Sequence, residues 1–110
     1  MDLWIRSQDK TDLVKANALW IMDNQIWMEV PFYENHKKLG LTITGHNHKL
    51  AEYATKERAL EVLDEIDEIK WYKYMAEVDW KHFIEVLSRK PEEEQYKIFK
   101  LMNTYEMPKE

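Results

Sequence analysis

His36, His46 and His48 are the residues whose chemistry would be easiest to use. His46 and His48 stand two apart around Asn47, and two imidazoles at that spacing can share a metal ion. A closed zinc site needs about four ligands in fixed geometry, and no sulfur or carboxylate sits at a matching spacing. Exposed turn histidines are therefore the plainer reading, and no metal or other cofactor is expected. The string His46-Asn47-His48 has none of the supporting motifs of an HNH nuclease. Glu61, Asp64, Glu65, Asp67 and Glu68 can suggest acid/base or magnesium chemistry. They fall opposite the apolar stripe of a helical pattern, where a charge run is ordinarily a solvated face. Ser7 and Ser88 have no histidine near them in sequence, and there is no cysteine to act as nucleophile or thiolate ligand. With only two glycines the chain has no phosphate-cradling loop motif. No catalytic constellation emerges, so the expectation is a protein that is not an enzyme.

The aromatic residues are what remain. Trp4, Trp20, Trp27, Trp71 and Trp80 are many for 110 residues, and six tyrosines and three phenylalanines accompany them. Core packing claims several. Tryptophan and tyrosine are also the residues that anchor binding surfaces. Lys70-Trp71-Tyr72-Lys73-Tyr74 concentrates rings and positive charge on one helical turn, and Arg6 lies beside Trp4. Such a set can stack a base and pair a phosphate, or dock another protein. The candidate ligand-binding residues are Trp4, Arg6, Trp20, Trp27, Lys70, Trp71, Tyr72 and Tyr74.

The elements that must position these residues read as an α+β chain, β-rich over 1–54, helical over 55–102, with a short tail at 103–110. A small antiparallel sheet of about five strands in two hairpins is expected, packed with C-terminal helices. Leu3 to Arg6 reads as a strand, Ser7 to Lys10 as a polar turn, and Leu13 to Met22 as the next strand. Asp23-Asn24 suits a two-residue turn, because both tolerate positive φ. Ile21 then opposes Ile26, Leu19 opposes Met28, Asn17 opposes Val30, and Trp20 opposes Trp27. Leu19, Ile21, Ile26, Met28, Val30 and Phe32 form the apolar face, with the two tryptophans, Ala16, Ala18 and Glu29 on the other. Tyr33 to Lys38 reads as a loop, followed by a second hairpin whose tip is Gly45 to His48. That hairpin puts Leu39, Leu41, Ile43, Leu50 and Ala54 on one face and Thr42, Thr44 and Tyr53 on the other.

Thr55 reads as a helix N-cap with Glu57 in the first turn. Ala59, Leu60, Val62, Leu63, Ile66 and Ile69 form the stripe, and a break is expected between Glu77 and Trp80. Pro91 can open a last helix, with Glu92 to Glu94 in its acidic start and Tyr96, Ile98, Phe99 and Met102 on its apolar side. Asn103 to Met107 can return as an edge strand.

The totals bound the function further. At 110 residues, 45% of them hydrophobic and 34% charged, the chain is expected to be one domain, 1–110, with its own core. A net charge of −5 gives no basic footprint for direct DNA binding. No apolar run approaches the ~20 residues that span a bilayer, and Met1 to Trp4 lacks the start of a signal peptide, so no membrane role and a cytoplasmic location are expected.

Trp4-Ile5-Arg6-Ser7-Gln8-Asp9-Lys10 with Leu13-Val14, the stretch from Leu50 to Ile66 (with Glu52-Tyr53-Ala54-Thr55 leading into Glu57-Arg58-Ala59-Leu60-Glu61-Val62-Leu63-Asp64-Glu65-Ile66), and the ending Tyr105 to Pro108 resemble a family of short proteins of phages and prophages of Gram-positive bacteria. Members look like a β-sheet carrying one helix, and this chain departs from that outline by an aromatic-rich segment at 70–100. The resemblance implies a mobile-element setting and a role in counter-defence inside the host cell, and brings no active site. Two roles follow. One is a homo-oligomeric sponge that sequesters a small nucleotide immune signal. The other is an anti-CRISPR-like inhibitor that docks a host defence protein. A structural accessory role is a third.

Overall fold

The computed structural model describes residues 3–15, 18–36 and 40–110, with side chains described for all of these except 30–36 and 40–46. The chain runs β1 (Trp4–Arg6), β2 (Leu13–Lys15), β3 (Leu19–Met22), β4 (Gln25–His36), β5 (Gly40–Glu52), α1 (Lys56–Val78), α2 (Trp80–Ser88), α3 (Glu92–Asn103) and β6 (Thr104–Glu106). The class is α+β. The strands form two three-stranded sheets, ordered β2-β1-β6 and β3-β4-β5.

Two sheets replace the expected one because Leu13 to Met22 is not a single strand. Val14 opposes Ile5 in the first sheet, while Leu19 and Ile21 oppose Met28 and Ile26 in the second. All three pack against the core, yet 14 is even and 19 and 21 are odd. Side chains of one strand alternate faces, so no unbroken strand can bury all three. Ala16 and Asn17, where the two parts meet, lie outside the described residues.

The turn at Asp23-Asn24 has the expected register, with Trp20 opposite Trp27 and Ile21 opposite Ile26. Asp23 takes φ 54° there. Ile26 and Met28 are buried, and Leu19 and Ile21 pack against the core from its margin. The second hairpin differs from expectation. β4 and β5 pair from Gln25↔Glu52 out to His36↔Gly40, so Tyr33 to His36 belong to a strand rather than a loop. Gly45 to His48 lie within β5 rather than at its tip, because Pro31 to Met28 continue the ladder opposite them. The faces expected for Val30, Phe32, Leu41, Ile43, Thr42 and Thr44 concern side chains outside the described ones, and Leu39 lies outside the described residues.

The ladder shifts register between Ile26 and Trp27, which pair with Ala51 and Lys49. Leu50 is the extra residue of a β-bulge. Leu50 and Ala51 are consecutive and both buried, as a bulge allows in a strand with one covered face. Beyond the bulge the period of two no longer applies. Tyr53 is therefore buried and Ala54 exposed, the reverse of the expected faces.

Thr55 caps α1 by accepting from the Arg58 amide at 3.1 Å. Ala59, Val62, Ile66, Ile69, Tyr72 and Met75 form the buried side of α1, while Leu60 of the expected stripe is exposed. The expected break falls at Asp79. Its amide closes α1 on the Met75 carbonyl at 2.8 Å, and its carboxylate accepts from the His82 amide at 3.2 Å to open α2. Pro91 precedes α3 as expected. There Ile98 is buried, but Tyr96 and Phe99 are exposed. The tail forms β6 on the edge of the first sheet, parallel to β1. Ile5, Phe83 and Tyr105, from opposite ends of the sequence, are wholly buried in one cluster with Ile26 and Ile66.

Candidate functional site

The three segments that carried the family resemblance meet in one place. Ser7 is buried in the turn after β1, and its hydroxyl donates to Asp9 at 2.7 Å while accepting the Asp12 amide at 3.0 Å. Asp9 also accepts from the Thr11 amide and hydroxyl at 3.0 and 2.8 Å. These donors, the Ser7 hydroxyl first, hold the Asp9 carboxyl at about 2, below the usual carboxylate range. The turn is closed by Lys10, at φ 66°, whose amide donates to the Ser7 carbonyl at 2.9 Å.

Gln8 then ties this turn to the other two segments. Its amide donates to the Leu50 carbonyl at 2.9 Å, the group the bulge withdraws from the β4 ladder. Its Oε1 accepts from the Glu52 amide at 2.9 Å, and its Nε2 donates to the Pro108 and Lys109 carbonyls at 3.3 and 2.8 Å. Tyr53 Oη donates to the same Pro108 carbonyl at 2.9 Å, and burial pushes its pKa up to about 12. Asn24 takes both polar backbone groups of Tyr53. Its carbonyl accepts the Tyr53 amide, and its side chain donates to the Tyr53 carbonyl. Every polar atom named here is used in holding chain to chain. The arrangement is a joint between the turn after β1, the end of β5, the β3–β4 turn and the tail, with Ser7 spent as a turn former.

No protein-family model, curated protein or solved structure matches this sequence.

The candidate binding residues lie in three places. Trp4 and Arg6 share the outer face of β1, with the Lys15 ammonium 5.4 Å from the Trp4 ring centroid and Glu106 beside Arg6 in the register. Trp20 and Trp27 are half-buried neighbours on the outer face of the second sheet, and Trp27 Nε1 donates to Gln25 Oε1 at 2.9 Å. Lys70, Trp71 and Tyr74 lie on α1, where Lys70 and Tyr74 border a small hollow beside Leu3. Leu3 is buried while Trp4 faces outward, so the α1 group reaches the start of β1 without joining its exposed tryptophan. Tyr72 does not belong with them. It is 4% exposed and packs edge-on to Phe83 at 6.4 Å, because the helical turn that turns Trp71 outward turns Tyr72 inward. His48 is exposed opposite Met28, while the His36 and His46 side chains are not among those described. Among the described residues no three histidines or carboxylates gather as metal ligands.

Two further features lie outside the candidate binding residues. One is an open cleft of about 510 Å³ where α1, α3 and β6 meet, bordered by Arg58, Lys97 and Lys100 on one hand and Glu65 and Glu106 on the other. Glu65 accepts from the buried Tyr105 hydroxyl at 2.9 Å and lies 4.0 Å from the Lys97 ammonium. Burial and the Glu65 charge raise the Tyr105 pKa well above that of a free tyrosine. Arg58 donates from Nε and Nη2 to the Glu110 carbonyl at 3.1 and 3.0 Å, so the tail forms one wall. Arg58 and Lys100 are far apart in sequence, and only the topology joins them.

The other is an aromatic surface on α2 and α3. Trp80 and Phe99 flank Phe83 at ring-centroid distances of 5.3 and 5.8 Å. Phe83 is wholly buried, yet Trp80 is 56% and Phe99 44% exposed. Ile84, one turn along α2, and Tyr96, one turn back along α3, extend this exposed apolar surface.

Proposed function

We propose that this protein is a non-enzymatic binding protein of the phage counter-defence kind, which inhibits a host defence protein in the host cytoplasm by docking it through the α2–α3 surface. The observation that carries the reading is the pair Trp80 and Phe99. The ring between them, Phe83, is already sealed in the core, while their own outer faces stay exposed among the described residues. Exposed tryptophan and phenylalanine around a rigid centre are suited to anchor a protein interface, since their area is large and their rotamer freedom small. The segment that supplies them also lies in the part of the chain that departs from the family outline.

The test is co-purification from host cells. The tagged chain should recover one stoichiometric host defence protein, and Trp80→Ala with Phe99→Ala should lose it while the helical circular dichroism is unchanged. Recovery of the same protein by the double variant, or of none by the parent, counts against the reading.

The cleft supports a second reading, the nucleotide sponge. Arg58, Lys97 and Lys100 outnumber the two carboxylates there, in a chain of net charge −5. Phosphates of a signal nucleotide would pair with those cations. Native mass spectrometry of protein drawn gently from infected cells separates the two readings, since a sponge carries extra mass that denaturation releases as a nucleotide.

A further inference from the structure

α1 has two apolar faces, and the fold uses only one. Ile66, Ile69, Tyr72 and Met75 point into the core. On the opposite face Leu60, Trp71, Tyr74 and Val78 are 43%, 51%, 56% and 61% exposed, and Leu63 is half-exposed in the same row. Positions 60, 63, 67, 71, 74 and 78 are spaced by steps of three and four residues, which keep them on one face of the helix as a seam for a partner helix. Such a stripe on a helix already anchored by its other side calls for a second helix.

The sequence of the stripe fits a reversed copy of itself. Two α1 helices laid antiparallel about a twofold axis at Ile69 bring each residue opposite one whose number sums with its own to about 138. Leu60 then meets the partner's Val78, and Leu63 meets the partner's Tyr74. Asp67 meets the partner's Trp71, with the partner's Lys70 beside it. The apolar ends pair with apolar ends, and the one acidic seam position has a base at its flank. Among the described residues neither Asp67 nor Lys70 has an ion-pair partner within its own chain. A parallel arrangement instead stacks Asp67 on Asp67 and leaves Lys70 beside Lys70. We infer that the outer face of α1 is the seam of an antiparallel homodimer, with Asp67 and Lys70 fixing its register. The occupant is a second copy of this chain because charge and apolar pattern complement each other only under the twofold. This seam is separate from the Trp80–Phe99 surface, and it stands whether or not that surface binds a host protein.

The chain has no cysteine, so introduced cysteines report the seam without background. Leu60→Cys combined with Val78→Cys in the full chain should oxidise to interchain-linked dimers. Leu60→Cys alone should not, because the two copies of position 60 lie about 27 Å apart along the axis, far beyond the ~6 Å Cα separation of a disulfide. Efficient cross-linking of Leu60→Cys alone indicates a parallel seam and overturns the proposal. Sedimentation supplies an independent reading. Asp67→Lys should weaken the dimer by about tenfold or more, and adding Lys70→Asp should restore most of the loss. A parent chain that stays monomeric at high concentration, or a charge swap that restores nothing, overturns the proposal too.

Discussion

Gln8 uses one amide to hold three chain segments. Its Oε1 takes the Glu52 amide at 2.9 Å, and its Nε2 serves the carbonyls of Pro108 and Lys109. Alanine there leaves the Glu52 amide and the Lys109 carbonyl without their partner, while the Pro108 carbonyl keeps Tyr53 Oη, and Gln8→Ala should cost about 1–3 kcal/mol in urea unfolding. Tyr53 gives the joint a pH dependence. Its folded pKa of about 12 lies above that of a free tyrosine, so the contribution is complete below about pH 10 and is lost as pH rises through about 12. Tyr53→Phe should therefore flatten the alkaline limb of the stability profile measured by denaturant midpoints from pH 8 to 12. The buried Tyr105 hydroxyl, also shifted upward, leaves part of that limb in place. Asp9 acts at the other end. Its carboxyl is held at about 2, so the support it gives the turn is present above about pH 4 and fades as pH falls towards 2.

At the scale of elements, caps and turns were the most readable features of the sequence, because each rests on two or three neighbouring residues. Thr55 caps α1, Asp23-Asn24 sets the β3–β4 register, and Asp79 divides α1 from α2. Asp79→Ala should cost about 1 kcal/mol of stability in urea unfolding, with Asp79→Asn nearly neutral, since only an acceptor for the His82 amide is needed. What the sequence did not disclose depends on distant partners. The Leu50 bulge is invisible in a run of alternating residues until Gln8 arrives to use its carbonyl. The parity change between Val14 and Leu19 was present in the letters, but only the existence of a second sheet gives it meaning. Tyr96 and Phe99 looked like core on helical spacing, and Ile98 already fills that role in α3. Of the candidate residues, Trp4, Trp71 and Tyr74 are exposed and Arg6 and Lys70 half-buried, whereas no local pattern could have named the cations of the cleft.

For the whole molecule, the joint around Gln8 and the exposed Trp80–Phe99 surface are built from different residues. The joint lies where β1, β5 and the tail meet, and Trp80 and Phe99 lie on α2 and α3. Trp80→Ala and Phe99→Ala should each cost about 0.5–1.5 kcal/mol in urea unfolding, since each removes one ring packed on Phe83. The sheet β2-β1-β6 joins its elements across most of the chain, with Trp4 beside Thr104 and the Met107 amide donating to the Arg6 carbonyl at 3.0 Å. That pairing has a consequence for synthesis. The first strand leaves the ribosome 100 residues before its parallel neighbour, which at ~5–20 residues per second is an interval of roughly 5–20 s. Throughout that time β1 offers an unpaired edge, the feature most open to wrong pairing with another nascent chain. Cells making this protein in quantity must carry that edge, on every ribosome, until residues 104–106 arrive to cover it.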